Sequence, residues 1–177
     1  MEFYDRATPI VARELLGAWI LARDGRRLRA GRIVETEAYV ADDAANHAHR
    51  GPTLRNRTMF GPPGSLYVYR IHQVHCANAV TRAGEAVLLR AADPLNSGLP
   101  SLSGPGRLCR GLGVTQADDG ASLVDGRVRI AQGDSAPKAI VTSPRVGVSR
   151  SVDLPLRFLW DGHAAVSRPR PWGRRAV

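Results

Sequence analysis

The chain has 177 residues, 44% of them hydrophobic and 23% charged, which is typical of a folded soluble domain and excludes collagen-like, coiled-coil and disordered chains. The formal net charge is +9, which favours a polyanionic partner because basic side chains release counterions from phosphates. No apolar run is long enough to span a bilayer, the start lacks a signal-peptide pattern, and two cysteines form no disulfide framework. We therefore expect one cytoplasmic domain over residues 1–177, without membrane contact.

The first predicted elements are a short helix and a hairpin. Thr8 is a suitable N-cap, Pro9 suits the first helical turn, and Gly17 marks the end of the helix. Asp24-Gly25 then separates two strand-like stretches, which predicts a tight turn between antiparallel strands.

The second hairpin strand carries two carboxylates. In a regular strand Glu35, Glu37 and Tyr39 share one face, because side chains alternate. Two readings remain open from spacing alone. Both carboxylates lie on a solvated face, or one lies in a cleft and takes a proton from water, its pKa raised by its neighbour.

The remaining elements are short. Residues 41–65 are predicted to form a long functional loop, and Leu66–Ile71 a strand. Further strands are expected at 77–80, 86–90, 121–131, 139–148, 156–160 and 163–167, a helix near 107–112, and a loosely ordered basic tail from about 168. We expect an α+β domain with a curved, mainly antiparallel sheet and peripheral helices.

Other chemistries have weak support. His47, His49, His72, His75 and Cys76 lack the paired spacing of a zinc site, so we expect no metal. No GxSxG motif is present, and neither cysteine has an obvious base partner. Lys138, the single lysine, follows a proline in a polar turn, which disfavours imine chemistry.

Taken together, the motifs resemble those of the alkyladenine (3-methyladenine, N-methylpurine) DNA glycosylase family. They are ELLG (14–17), RIVETEAY (32–39), HAHRGPTLRNRTMFGPPGSLYVY (47–69), CAN (76–78), VLLRAADP (87–94), SGPGRLC (103–109), PRVGV (144–148) and PLRF (155–158). Their number and order cover most of the chain. The resemblance implies a monofunctional enzyme of base excision repair that flips damaged purines out of double-stranded DNA and hydrolyses the N-glycosidic bond without a cofactor.

The resemblance also implies roles for individual residues. Glu37 would be the general base, with Arg90 and the main chain of Val146 positioning the attacking water. Tyr39, His47, Tyr69 and Asn78 would form the base pocket, the last as a steric filter near the amino group of guanine. Glu35 is expected to be structural and paired with an arginine.

One segment departs from the family pattern. His72 stands where vertebrate members have an intercalating tyrosine, Gln73 replaces the following glycine, and the segment is one residue shorter. We expect His72 to be the wedge. Arginines near these loops, which we expect to contact DNA phosphates, are Arg50, Arg55, Arg57, Arg70, Arg107 and Arg110.

Two alternatives remain at this point. A lesion-binding or duplex-binding protein with little or no catalysis would keep the basic surface without needing both Glu37 and Arg90. A nucleoside hydrolase would share the carboxylate chemistry but would not need a net charge of +9. We expect the protein to act as a monomer.

Overall fold

A computed structural model describes residues 2–171, and its main feature is one nine-stranded antiparallel sheet. Its strands are β1 (Trp19–Asp24), β2 (Arg27–Tyr39), β3 (Leu66–Ile71), β4 (Val74–Val80), β5 (Ala86–Pro94), β6 (Leu102–Ser103), β7 (Val128–Ala131), β8 (Ile140–Ser143) and β9 (Arg157–Trp160). Within the described residues the helices are α1 (Thr8–Glu14), α2 (Pro105–Leu112) and two single 3₁₀ turns, Arg57–Phe60 and Gln116–Asp118. This architecture confirms the α+β class.

The longest strand, β2, organises the sheet because it has neighbours along both edges. Strand β5 pairs along one edge, and β1 and then β9 pair along the other. The main strand order is β3-β4-β5-β2-β1-β7, with β6 added to β5 and β8 to β9. Glu35, Thr36 and Glu37 therefore have a neighbouring strand on each side.

A β-bulge interrupts β2 where the two carboxylates begin. The register shifts between Ile33 and Glu35 and again between Glu35 and Thr36. Ile33 packs in the main core with α1, and the Thr36 hydroxyl donates a 2.7 Å hydrogen bond to the carbonyl of Ala12 in α1. Ile33 and Thr36 therefore both face the helices, although residues three apart in a regular strand lie on opposite faces. The bulge therefore turns Glu35 and Glu37 to the face opposite the helices.

The main hydrophobic core lies between the two helices and the face of the sheet that they cover. Val11 of α1, Leu15 directly after α1, and Leu108 and Leu112 of α2 are fully buried there. A smaller cluster lies on the opposite face, and its buried members are Ala48, Met59, Tyr67, Val80 and Ala86. This second cluster supports the loop between β2 and β3.

Some local predictions were wrong. Ala7, not Thr8, is the N-cap of α1, and the helix ends at Glu14 rather than near Gly17. The hydroxyl of Thr8 instead bonds to Thr81, at 2.7 Å, and to Glu85, so a tertiary contact takes the group that would have capped the helix.

The C-terminal strand predictions also need correction. Strand β8 ends at Ser143, because Pro144 has no N–H for a further ladder bond. Residues 163–167 form no strand, since the N–H of Ser167 donates to the carboxylate of Glu35. Of the predicted tail, 168–171 are described, and the Pro169 carbonyl accepts a 2.9 Å hydrogen bond from Arg157. Residues 172–177 lie outside the described part.

Candidate active site

A row of register partners crosses four neighbouring strands on the face away from the helices. Glu37 pairs with Leu88, Leu88 with Asn78, and Asn78 with Tyr67. Directly opposed residues in antiparallel strands project to the same face. A carboxylate, an amide and a phenol from β2, β4 and β3 are thereby brought together, although up to 41 positions of sequence separate them.

Glu37 is fully buried, and both of its carboxylate oxygens have protein donors. Oε1 accepts a 2.9 Å hydrogen bond from the N–H of Val146, in the loop between β8 and β9. Oε2 accepts one of 3.0 Å from the phenol of Tyr39. The guanidinium of Arg90 lies 3.5 Å from Oε1 through Nη1. Tyr39, Arg90 and Val146, three of the predicted site residues, thus all contact Glu37.

These surroundings change the acidity of Glu37. Burial raises the pKa of the carboxyl above its ordinary value of 4.5, and the charge of Glu35 adds a small rise. The charge of Arg90 and the hydrogen bonds from Val146 and Tyr39 oppose this effect without cancelling it. A carboxylate with a raised pKa is a stronger base than an exposed one.

Arg90 is held in place by Glu35. Its Nε lies 2.9 Å from Glu35 Oε1 and donates a 3.1 Å hydrogen bond to the hydroxyl of Ser167. Arg157 donates to the same Glu35 oxygen at 2.7 Å, and the N–H of Ser167 to the other at 2.7 Å. Glu35 is fully buried and pairs with two arginines, which agrees with the expected structural role.

Aromatic side chains surround a small cavity beside Glu37. The four residues that the resemblance assigns to the base pocket, Tyr39, His47, Tyr69 and Asn78, all line it, together with Tyr67 and others. The ring centroids of His47 and Tyr69 are 4.4 Å apart, in an edge-to-face arrangement. The cavity has a volume of about 20 Å³, much smaller than the roughly 300–1,000 Å³ of ordinary ligand pockets. Its aromatic side chains must therefore move apart before a base could enter.

His47 comes from the long loop between β2 and β3. Its Nδ1 lies 3.2 Å from the hydroxyl of Tyr67, and its ring faces Tyr69 although the residue is exposed overall. Partial burial of the ring lowers the pKa of His47, which favours neutral imidazole near pH 7. Asn56 holds this part of the loop in place, because its side-chain amide donates a 2.9 Å hydrogen bond to the carbonyl of His47.

A larger groove of about 630 Å³ opens next to the cavity and shares three of its wall residues, His47, Tyr67 and Tyr69. Three of the arginines predicted to bind phosphates, Arg55, Arg57 and Arg70, line this groove. All three are exposed. The groove thus places three arginines next to the walls of the aromatic cavity.

The other predicted DNA contacts lie at different places. His72 is exposed at the tip of the β3–β4 hairpin, with a left-handed backbone at φ 51°. Arg50 is exposed on the long loop, and Arg107 is exposed on α2 with its Nη1 donating to the carbonyl of Ser103. Arg110 lines a separate cavity of about 280 Å³, together with Gln73, Val74 and His75 of that hairpin.

Sequence reasoning missed a buried ion pair next to this site. Arg145 donates from Nη1 to a carboxylate oxygen of Asp43 and, at 3.0 Å, to the carbonyl of Ala38. Its guanidinium carbon lies 4.5 Å from the ring centroid of Tyr39. The available signal was the PRVGV segment, in which Arg145 directly precedes Val146.

Neither a membrane span nor a metal cluster is found in the described part. Between residues 2 and 171, no helix is both long and apolar enough to cross a bilayer. Over the same residues, no three histidine, cysteine, aspartate or glutamate side chains are grouped so that they could hold a metal ion.

Comparison with known proteins identifies the family. Residues 2–164 match the family described as methylpurine-DNA glycosylase (MPG). The chain belongs to this family. Relatives include proteins from Methanoculleus marisnigri (44% identical, 94% of this chain and 96% of the relative), Anaeromyxobacter dehalogenans strain 2CP-C (47%, 96% and 86%) and Myxococcus xanthus (43%, 98% and 95%). Each bears the name "Putative 3-methyladenine DNA glycosylase". The family resemblance inferred from the sequence motifs is thereby confirmed.

Proposed function

We propose that this protein is a monofunctional DNA glycosylase that removes damaged purines from duplex DNA by hydrolysis. The substrates would be purines of the 3-methyladenine, 7-methylguanine, hypoxanthine and ethenoadenine class, and the product an abasic site. One observation carries the proposal beyond family membership. A buried carboxylate, Glu37, is held by Arg90, Tyr39 and Val146, and Tyr39 also lines an aromatic cavity that shares three wall residues with an arginine-lined groove.

The proposed reaction begins with flipping of the nucleotide into the cavity. Unstacking costs a few kcal/mol and is least costly for a damaged or mispaired base. Tyr39, His47 and Tyr69 would stack around the purine, and their movement would widen the cavity. Asn78, whose amide donates 3.0 Å to the carbonyl of Tyr67, would be a rigid steric filter.

Hydrolysis would follow at C1′ of the flipped nucleotide. As the glycosidic bond lengthens, the sugar gains oxocarbenium character, and water attacks C1′ while Glu37 accepts its proton. Arg90 and the Val146 main chain would position that water. The bond electrons leave with the purine. Lys138 is exposed and lines neither the cavity nor the groove, so no imine with the abasic sugar is expected.

Binding of duplex DNA would depend on the arginines around the cavity. Arg55, Arg57 and Arg70 lie in the groove, where they would contact phosphates on either side of the flipped nucleotide. Arg50, Arg107 and Arg110 would extend this contact. The net charge of +9 would add affinity without sequence preference, and affinity would fall steeply with salt.

The proposed activity is tested with purified protein and duplex oligonucleotides that carry one defined lesion. Abasic sites are revealed as strand breaks after alkali, and an untreated aliquot measures strand cleavage by the protein itself. We expect breaks only after alkali. Tight lesion binding without abasic product would favour the non-catalytic alternative, and breaks without alkali would contradict a monofunctional enzyme.

The pH dependence of excision should report the ionisation of Glu37. The base must be deprotonated, and its raised pKa places the acid limb of the rate profile above pH 4.5. We expect the single-turnover rate on duplex containing ethenoadenine to rise tenfold per pH unit below that pKa and then level off. A rate that is independent of pH down to 4.5, with DNA binding saturated, would contradict general-base catalysis by Glu37.

The wedge prediction is tested at the hairpin tip. If His72 fills the space left by the flipped nucleotide, His72→Ala should slow excision about tenfold on duplex DNA and little on single strands, which have no stack to hold open. The neighbouring Gln73→Ala is the matched control on the same turn and should keep the wild-type rate on both substrates. Equal losses on duplex and single strands would remove His72 from this role.

A further inference from the structure

We infer that Arg145 and Asp43, an ion pair behind the base pocket, set the preference of the enzyme between cationic and neutral damaged purines. This inference rests on the proposed function. Arg145 belongs to the loop between β8 and β9 and Asp43 to the loop after β2, and both side chains are fully buried. Neither residue lines the aromatic cavity, so neither would touch the base.

Arg145 lies against the ring of Tyr39, outside the aromatic cavity. Its guanidinium carbon lies 4.5 Å from the ring centroid of Tyr39, while the cavity is lined by Tyr39 but not by Arg145. Tyr39 therefore separates the guanidinium from the cavity. A purine stacked on the cavity face of this ring would lie about 9 Å from the guanidinium, at ordinary stacking distances.

The hydrogen-bonding capacity of Arg145 is incompletely satisfied. Nη1 donates to Asp43 and to the carbonyl of Ala38. Nε and Nη2 are buried, and within residues 2–171 they have no hydrogen-bond acceptor. Two guanidinium nitrogens are therefore removed from water without a partner, and Asp43 is the carboxylate with which this guanidinium is paired.

Asp43 remains ionised in this arrangement. Burial raises the pKa of Asp43, but the hydrogen bonds from Arg145 and from the N–H of Ala45 outweigh it, so the pKa lies below the ordinary value. Asp43→Asn therefore leaves a net positive charge behind Tyr39. Arg145→Gln removes the positive charge and leaves Asp43 with the hydrogen bond from the N–H of Ala45.

Damaged purines differ in charge in a way that this pair would detect. Purines methylated at N3 or N7 are cations while attached to the sugar, whereas hypoxanthine and ethenoadenine are neutral. An aromatic face attracts a cationic base, but a second cation behind the same ring opposes that attraction in a poorly screened interior. Arg145 would thus favour neutral lesions, and Asp43 would moderate the effect.

The test is a ratio of two single-turnover rates, on duplex containing 7-methylguanine and on duplex containing ethenoadenine. We expect Arg145→Gln to raise the cationic-to-neutral ratio roughly five- to twentyfold and Asp43→Asn to lower it by a similar factor. The double variant restores neutrality and should lie between them. Arg145→Lys keeps the charge and should stay near the wild-type ratio.

The controls separate selectivity from folding and from the proposed function. Arg127→Gln breaks another arginine–aspartate pair, with Asp118 at 2.6 Å and outside the cavity, and should leave the ratio unchanged. Melting curves identify any variant that does not fold. If Arg145→Gln does not fold, the direction in which Asp43→Asn changes the cationic-to-neutral ratio still tests the inference. If every variant lost the rates on 7-methylguanine and on ethenoadenine by the same factor, the ratio would be unchanged and the inference would be overturned. Absence of abasic product from wild-type protein would instead reject the proposed function.

Discussion

Glu37→Gln is expected to lower the rate of purine excision by about 10²–10⁴-fold while leaving binding to lesion-containing duplex nearly unchanged. The amide keeps the size of the side chain and can still accept the N–H of Val146, but it cannot take a proton from water. The measurement is the single-turnover rate of abasic-site formation at saturating protein, with affinity determined separately by fluorescence anisotropy.

The same substitution should not destabilise the protein. Because burial raises the pKa of Glu37 in the folded state, the ionised carboxyl opposes folding, and stability falls as pH rises from the unfolded-state pKa through the folded-state pKa. Removing this ionisation should leave the melting temperature at neutral pH equal to or above that of the wild type. Lost activity with retained stability would then be a chemical effect.

Glu14→Gln is the matched control, because it makes the same chemical change in an exposed ion pair with Arg6. Neither residue of this pair lines the aromatic cavity, and wild-type excision is expected. Retention of more than a third of the rate in Glu37→Gln would show that another group activates the water.

Glu35→Gln should have the largest effect on stability. Glu35 accepts hydrogen bonds from Arg157 and from the backbone and side chain of Ser167, and it lies 2.9 Å from Arg90. Removing its charge leaves two buried guanidinium groups without their shared counterion, at a cost of about 3–5 kcal/mol. For a chain of this length, that corresponds to a decrease of about 6–20 °C in melting temperature.

Activity should fall as well in Glu35→Gln, even at temperatures where the variant is folded, because Arg90 loses the carboxylate that orients it toward Glu37. Asp134→Asn is the control for stability. It removes a carboxylate from the exposed pair with Arg32, 2.9 Å apart, and should cost less than about 1 kcal/mol. A melting temperature for Glu35→Gln within about 2 °C of the wild type would contradict a supporting role for this network.

Much of the fold could be predicted because it depends on local patterns. The turn signal at Asp24-Gly25 indicated the first hairpin, although Asp24 pairs with Arg27 and the turn residues are Gly25 and Arg26. Leu66–Ile71 was predicted with the bounds that the structure shows. The helix starts and the short C-terminal strands were predicted less well. Thr8 bonds to Thr81 and Glu85 instead of capping α1, and Ser167 bonds to Glu35 instead of extending a strand. Such partners are distant in sequence and leave no local pattern.

In the candidate site, too, some features follow from the local sequence and others from contacts between distant residues. The sequence by itself determined the excess of arginine, the family motifs and the residue types available for acid–base chemistry. Only the tertiary structure decided which of two neighbouring glutamates has which surroundings. The bulge in β2 turns both away from the helices, after which Glu35 meets two arginines and Glu37 meets Tyr39, Arg90 and the N–H of Val146. A carboxylate's pKa depends on burial and on charges within a few ångströms, and those neighbours come from strands and loops that are remote along the chain.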